Sequence, residues 1–481
     1  MTPSITRSPS TSGPSGGLPR RFTTGAGMTL VLVVVGCALG GGPREARADE
    51  AAVIKLTIHP SRIDGAAAYP RLLPEDPDLR PGNAAVVLLR MPWLEWTWIQ
   101  EWLPKLAEIA QLPPDDPRVA EVPFDSFAGA MRRAAFIRDA DWAYPLADEP
   151  LASIPLPDVQ GLIDFIGRGM PIWVNQRIAA GDLDAAREGI LTMLACSRHV
   201  ARNPLFVCNM MATTTAGAAL DRVEALVSRP GCPNMHAPLA FLPDSIGDCQ
   251  AAIQTEARMI ERSLAGLRDD FPSSGDAEGW RAVIEEYLLL FDEEGDGGGK
   301  RIDPAERRRV LADRAARAAL ADGAVTATEP PVSGDELAMR QILAEHADAH
   351  RRAEAAWLLP APEAIRSLAA LDRSASVESL LDSRPWEFLR VYLTTKGFGR
   401  RARMLEVVEA LRDAAARNGG RFPPSLAEVP ARVPLDPFTG KQFVYEPAAD
   451  GRSARLATPP IPGVDDPRSG RIYELTLADP E

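Results

Sequence analysis

The sequence predicts a mainly α fold, an irregular helical-hairpin array with a small C-terminal α+β module. Three observations carry this. Alanine is abundant while aromatic residues make up only 6% of the 481 residues, a balance that leans towards helix. Through the middle of the chain apolar residues recur at helical spacing. Towards the end the pattern changes to one helix followed by short strand-like runs separated by Pro and Gly turns.

Composition and charge narrow the class. Hydrophobic residues at 46% and charged residues at 25% are globular values, which excludes a collagen-like or fully disordered chain. The net charge is −13, and Lys55, Lys105, Lys300, Lys396 and Lys441 are the only lysines. An acidic chain without clustered positive charge is a poor nucleic-acid binder, so no nucleic-acid partner is expected.

Four stretches are expected: 1–48, 49–156, 157–395 and 396–481. The first reads as a signal peptide. Arg20-Arg21 precedes an apolar run, Met28 to Leu39, and Ala46-Arg47-Ala48 stands just before Asp49. A run of that length is too short to span a bilayer, and small residues two apart suit a signal peptidase. The residues after Arg20-Arg21 follow a twin-arginine pattern poorly. The competing reading uses Val34-Val35-Gly36-Cys37 as a lipobox, with a lipoprotein anchored at Cys37. Either way the protein is expected to be exported, periplasmic or extracellular, with no transmembrane span after signal removal.

The stretch 49–156 opens with an alternating strand, Val53 to Ile58, then a Pro-rich loop reaching Arg80-Pro81-Gly82-Asn83. Trp93, Trp96, Trp98 and Trp102 form a cluster. Burial of this aromatic patch is the plainer expectation; a sugar or partner surface is the sharper one.

In 157–395 the helices follow. Leu162, Ile163, Phe165 and Ile166 share one face. Asp182 to Val200 carries Leu183, Ala186, Ile190, Leu191 and Leu194 at helical spacing, Asn203-Pro204 breaks the pattern, and Leu205 to Val227 resumes it. Together they predict an αα-hairpin. Further helices are expected over 246–267, 280–291, 304–321, 335–359 and 362–381. Of the cysteines left after removal of Cys37, Cys196 and Cys208 read as small buried hydrophobes. Cys232 and Cys249 flank a short Pro-containing loop and are the better disulfide candidates.

The stretch 396–481 predicts a helix from Arg401 to Arg417 with Met404, Leu405, Val408 and Leu411 on one face, capped by Asn418-Gly419-Gly420. Strands are expected at 442–445, 455–457 and 471–477. Helix-on-sheet packing should follow, with Pro423-Pro424 laid over one edge.

Several motifs here carry a resemblance. Gly419-Gly420, Phe422-Pro423-Pro424-Ser425-Leu426 and Pro434-Leu435-Asp436-Pro437-Phe438-Thr439-Gly440 resemble the C-terminal module of uncharacterised exported bacterial proteins. That module is similar to the globular end of type II secretion pseudopilins. Leu72-Leu73-Pro74-Glu75, Pro81-Gly82-Asn83-Ala84, Asp141-Trp142, Pro233-Asn234 and Leu242-Pro243 extend the resemblance over most of the mature chain. The prepilin helix signature is missing, which argues against a pilin. The resemblance implies export and a cell-envelope setting, and it carries no catalytic residues.

Two constellations suit metals. Asp292, Glu294 and Asp296, with Glu306 beyond, resemble an EF-hand loop, since alternating oxygen ligands and a turn glycine suit calcium. Three extra residues put Glu306 out of register, and a solvated acidic linker is the plainer reading. His346 and His350 stand at i, i+4 on an expected helix and could share a metal. No H-E-x-x-H occurs, and a surface pair is the plainer reading. The leading functional expectation is therefore a non-enzymatic scaffold or binding protein of the cell envelope, with an envelope protein partner and no cofactor. A hydrolase with an unrecognised site and a calcium-dependent adhesion protein acting through 292–306 are the alternatives. A binding protein predicts a groove lined by apolar and arginine side chains. A hydrolase predicts a pocket of converging carboxylates or histidines.

Removal of residues 1–48 takes away five arginines and one glutamate, so the net charge falls from −13 to −17. Amino-terminal sequencing of the exported form is expected to read from Asp49; a lipid-modified start at Cys37 is the outcome that overturns this.

Overall fold

The computed structural model describes residues 52–63, 71–91, 94–142, 159–247, 249–255, 348–374, 388–464 and 469–479. Along the chain the elements are β1 (Ala52–Ile58), β2 (Arg80–Asn83), α1 (Ala84–Arg90), α2 (Trp96–Trp102), α3 (Asp125–Ala135), β3 (Ile137–Asp139) and α4 (Val159–Leu162). A π-helical stretch over Ile163–Gly169 leads to α5 (Met170–Ala179), α6 (Leu183–Ala201), α7 (Phe206–Val227), α8 (His236–Ala240), α9 (Ala361–Ser374) and α10 (Phe388–Arg417). The chain ends in β4 (Val444–Pro447), β5 (Ser453–Ala457) and β6 (Arg471–Leu477). The fold is mainly helical with a small sheet, as the periodicity predicts.

The α6–α7 hairpin is where local chemistry is clearest. The Asp182 carboxylate accepts from the Ala185 N–H at 3.1 Å and caps α6. Ala186, Ile190 and Leu194 form its fully buried stripe. Asn203 Oδ1 accepts from the Leu205 N–H at 3.1 Å, which turns the chain into α7. The two helices are locked by the Ser197 and Thr215 hydroxyls, 2.7 Å apart in the core.

The tryptophan patch is partly core. Trp98 is 4% exposed, and its ring centroid lies 4.5 Å from Phe127 and 5.6 Å from Phe124. Trp102 is half-buried, with the Lys105 ammonium 4.8 Å above its ring.

The C-terminal unit departs from expectation in two ways. Its sheet runs β1-β6-β5-β4. β1 pairs in parallel with β6, from Ala52 opposite Arg471 to Ile58 opposite Leu477. A strand expected within 49–156 thus completes the sheet of the 396–481 unit. The helix is also longer than expected, beginning at Phe388, and every residue from Met404 to Ala415 is buried. The expected single apolar face is therefore only part of it. Its nearest neighbours are α8, α7 and α9, so the helix is enclosed by other helices as well as by the unit it leads into. At its end Gly419 and Gly420 adopt positive φ, and the Gly420 N–H reaches the Ala415 carbonyl at 3.0 Å, closing a Schellman-type cap. The Pro-rich run lies beside the edge strand β4, where the Tyr445 hydroxyl donates to the Pro423 carbonyl at 2.8 Å.

The expected Cys232–Cys249 disulfide is not formed. Cys196, Cys208, Cys232 and Cys249 are all buried thiols. The two thiols turn to different neighbours: Cys232 Sγ donates to the Pro233 carbonyl at 3.4 Å and Cys249 Sγ to Asn209 Oδ1 at 3.9 Å.

Gly399 allows α10 to touch the loop after α8. A Cβ there would lie 2.4 Å from the Asp244 carbonyl oxygen and 2.5 Å from its Cα, whereas one at Gly397 meets nothing within 4 Å. Gly399→Ala is expected to destabilise the protein by about 2 kcal/mol through forced backbone movement. Gly397→Ala should stabilise it by about 0.5–1 kcal/mol by restricting the unfolded chain. Urea midpoints of the two variants test this; equal shifts would disprove the close contact.

Candidate functional site

Three segments meet around a cleft of about 720 Å³. One wall is the loop 71–78, another the C-terminal end of α6, and the third the end of α8 with the loop to Ile246. A smaller cavity of about 230 Å³ continues past Arg202, Asn203 and Gly247. Arg198 and Ile246 line both spaces.

Each wall is anchored. In the first, Leu72 is fully buried and the Glu75 N–H donates to Asp78 Oδ2 at 3.3 Å. The second is held where the Trp142 indole N–H donates to the His199 carbonyl at 3.1 Å. The third is tied to α10, since Arg403 donates to the carbonyls of Ala240, at 3.0 Å, and Leu242. Phe241 stays 59% exposed at the rim, with the Arg71 guanidinium 4.2 Å over its ring. Arg71 is also paired with Glu75.

Arg198 stands apart from these satisfied groups. Its Nε and one Nη are buried and find no acceptor among the described residues. Burial, and then the charge of Arg202, pull the guanidinium below its ordinary value, with Asp76 acting the other way. Next to it His199 is fully buried, and neither ring nitrogen has a partner in hydrogen-bonding geometry among the described residues. Burial first, then Arg202 and Arg198, push its pKa down to about 4; the carbonyls of Ala134 and Ala135 offset only part of this.

Of the residues singled out for metals, His350 alone is among the described residues. Asp292, Glu294, Asp296, Glu306 and His346 lie outside the described residues. His350 is buried, 5.4 Å edge-on from the Phe388 ring. Among the described residues no group of three or more His, Cys, Asp or Glu could hold a metal ion. His236 Nε2 contacts the Arg432 carbonyl at 2.9 Å and lies 3.8 Å from Glu406. The short motifs flagged by the sequence serve as joints. Asn83 Oδ1 accepts from the N–H groups of Ala85 and Asp141, at 3.0 and 2.9 Å. Asn234 Nδ2 donates to the carbonyls of Ser61 and Glu409, each at 2.9 Å.

The sequence reading missed Arg198, although a signal was present. The buried stripe of α6 runs 186, 190, 194, and its next step is Arg198. An arginine that continues an apolar stripe is a cation carried towards the interior.

Comparison with known proteins adds nothing to this geometry: no family model, curated protein or solved structure matches the chain.

His199 makes a pH prediction. Unfolded, it takes up a proton near its ordinary 6.5; folded, it stays neutral to about 4. Its contribution is fully present above pH 6.5 and is lost as pH falls through that window, on the order of 3 kcal/mol in all. The difference in unfolding free energy between wild type and His199→Gln should therefore change between pH 6.5 and 4. A difference that stays flat would show that the ring is not held neutral.

Proposed function

We propose that this chain is an exported, non-enzymatic binding protein of the cell envelope that takes its partner in the cleft around Arg198. The observation that carries the reading is the cleft lining. Leu73, Phe241 and Ile246 supply apolar surface, Arg71 and Arg198 supply positive charge, and Glu75 and Asp76 supply two carboxylates, of which Glu75 is paired with Arg71; apolar and arginine side chains together are the composition expected of a binding groove. Neither histidine nor cysteine lines it. The Ser245 hydroxyl in its wall donates to the Gly247 carbonyl at 2.8 Å instead of to a base. The most shifted histidine, His199, is enclosed between arginines rather than set in the cleft wall.

Export rests on the amino-terminal pattern of charge, short apolar run and Ala46-Arg47-Ala48. The likeness of the 419–440 motifs to exported bacterial proteins is in keeping with it. Among the described residues no helix is long and apolar enough to cross a membrane.

A photo-crosslinking amino acid placed at Phe241 tests the reading, since this rim position is 59% exposed. In intact cells it should give discrete adducts that are missing when the same group replaces Leu358, which is 67% exposed and does not line the cleft. Equal adduct patterns at the two positions, or none at either, would reject the cleft as the binding surface.

A further inference from the structure

Resting on that reading, we propose that the cleft holds an extended peptide of a partner protein, bearing an acidic side chain next to an apolar one, with the carboxylate seated on Arg198. The chemistry of the walls selects this occupant. Arg71 is engaged at the rim by Glu75 and by the Phe241 ring. Arg198, in the wall common to both cavities, brings buried N–H donors that meet no acceptor among the described residues. A guanidinium with unused donors is matched by a planar acceptor of opposite charge, and a carboxylate meets two N–H groups at once.

The remaining wall cannot do this work. Pro74, Pro77, Pro238 and Pro243 line the larger space and carry no N–H, so they offer no backbone donor to an anion. Asp76 lowers the net positive charge without bonding to Arg198, while Arg202 in the adjoining cavity adds to it. The apolar half of the requirement comes from Phe241 and Ile246, which stand on the same wall as Pro238 and Pro243. Two adjoining cavities that share Arg198 and Ile246 suit an extended chain, whose successive side chains can enter each in turn.

The test uses the full mature chain and a library of acetylated, amidated heptapeptides with a central Glu between randomised apolar residues, alongside the same library with Gln. Fluorescence anisotropy should show the Glu peptides binding at least tenfold more tightly than the Gln peptides. Arg198→Gln should remove that preference while leaving the weak Gln binding unchanged. Phe241→Ser, at an exposed position where folding is not at stake, should weaken both sets alike. Equal binding of Glu and Gln peptides, or a preference that survives Arg198→Gln in a variant with unchanged melting, overturns the proposal. So does displacement of the peptide by millimolar propionate, which would make the occupant a small free acid, or binding seen only with anionic lipid vesicles. If no peptide binds while the Phe241 adducts persist, this inference fails and the binding role stands; loss of the adducts fails the role itself.

Discussion

Charge buried along α10 is the constraint on which the rest of the architecture depends. Arg400 and Asp436 are both buried and meet at 2.7 Å, and Arg400 also donates to the carbonyls of Ser469 and Pro459. Arg401 reaches Glu224 on α7 at 2.7 Å, and Arg471 and the Tyr473 hydroxyl of β6 converge on the same carboxylate oxygen. Arg412, fully enclosed, holds Glu409 at 2.8 Å together with the carbonyls of His59 and Cys232. Ions withdrawn from water are tolerated only with such complete partnering, and removing one partner is far more costly than never having had the pair. Because the partners come from β6, from the 436 turn, from α7 and from the segment after β1, each of these arginines fixes the position of a distant part of the chain. Burial alone would raise the Glu224 carboxyl, but Arg401, Arg471 and Tyr473 outweigh it and hold it below the usual carboxylate range. The carboxylate therefore stays charged, and the joint between sheet and hairpin stays closed.

How far the sequence revealed this depends on the range of each interaction. The α6–α7 hairpin was legible because caps, a breaking Asn-Pro and an apolar stripe are all local. The strands near the C-terminus were legible for the same reason. β1 was read as a strand but not as part of that sheet, because its partner β6 lies at the other end of the chain and alternation gives no information on pairing. α10 was the least legible. Glu409, Arg412 and Asp413 have the look of a solvated face, and the arrival of the 59–63 and 232–235 segments turns them inwards. The cysteine expectation failed in a related way, since closeness along the chain did not orient the thiols of Cys232 and Cys249 towards each other.

The same logic accounts for the role of the short motifs. Trp142, Asn234 and Asp436 lie in loops and Asn83 at the end of β2, where a sequence reading sees only local turn and cap chemistry. In the folded chain each spends its side chain on a segment far away: Asn83 on Asp141, Trp142 on His199, Asn234 on Ser61 and Glu409, Asp436 on Arg400. Thr439 adds a 2.7 Å hydrogen bond to Asp436 Oδ2, so the turn presents its carboxylate to Arg400 in a set direction. These residues are constrained by assembly rather than by chemistry on a substrate.

The cleft follows from this assembly. Its three walls do not pack against one another closely enough to close, yet each is fastened from behind. Arg403 and the Gly399–Asp244 contact hold the 238–246 wall on α10. Trp142 holds the end of α6. Arg138 reaches the Asp76 carbonyl at 3.5 Å and its own carbonyl is taken by Arg202, which ties the 71–78 wall to α6 through β3. A space framed by fixed walls costs a ligand little ordering. It also explains how Arg198 can remain without an acceptor among the described residues: the backbone around it is held by bonds that do not involve its side chain, so the unmet donors are carried by the fold instead of being relaxed away. Charge that is satisfied on α10 builds the frame, while on α6 Arg198 keeps buried donors that no described acceptor meets.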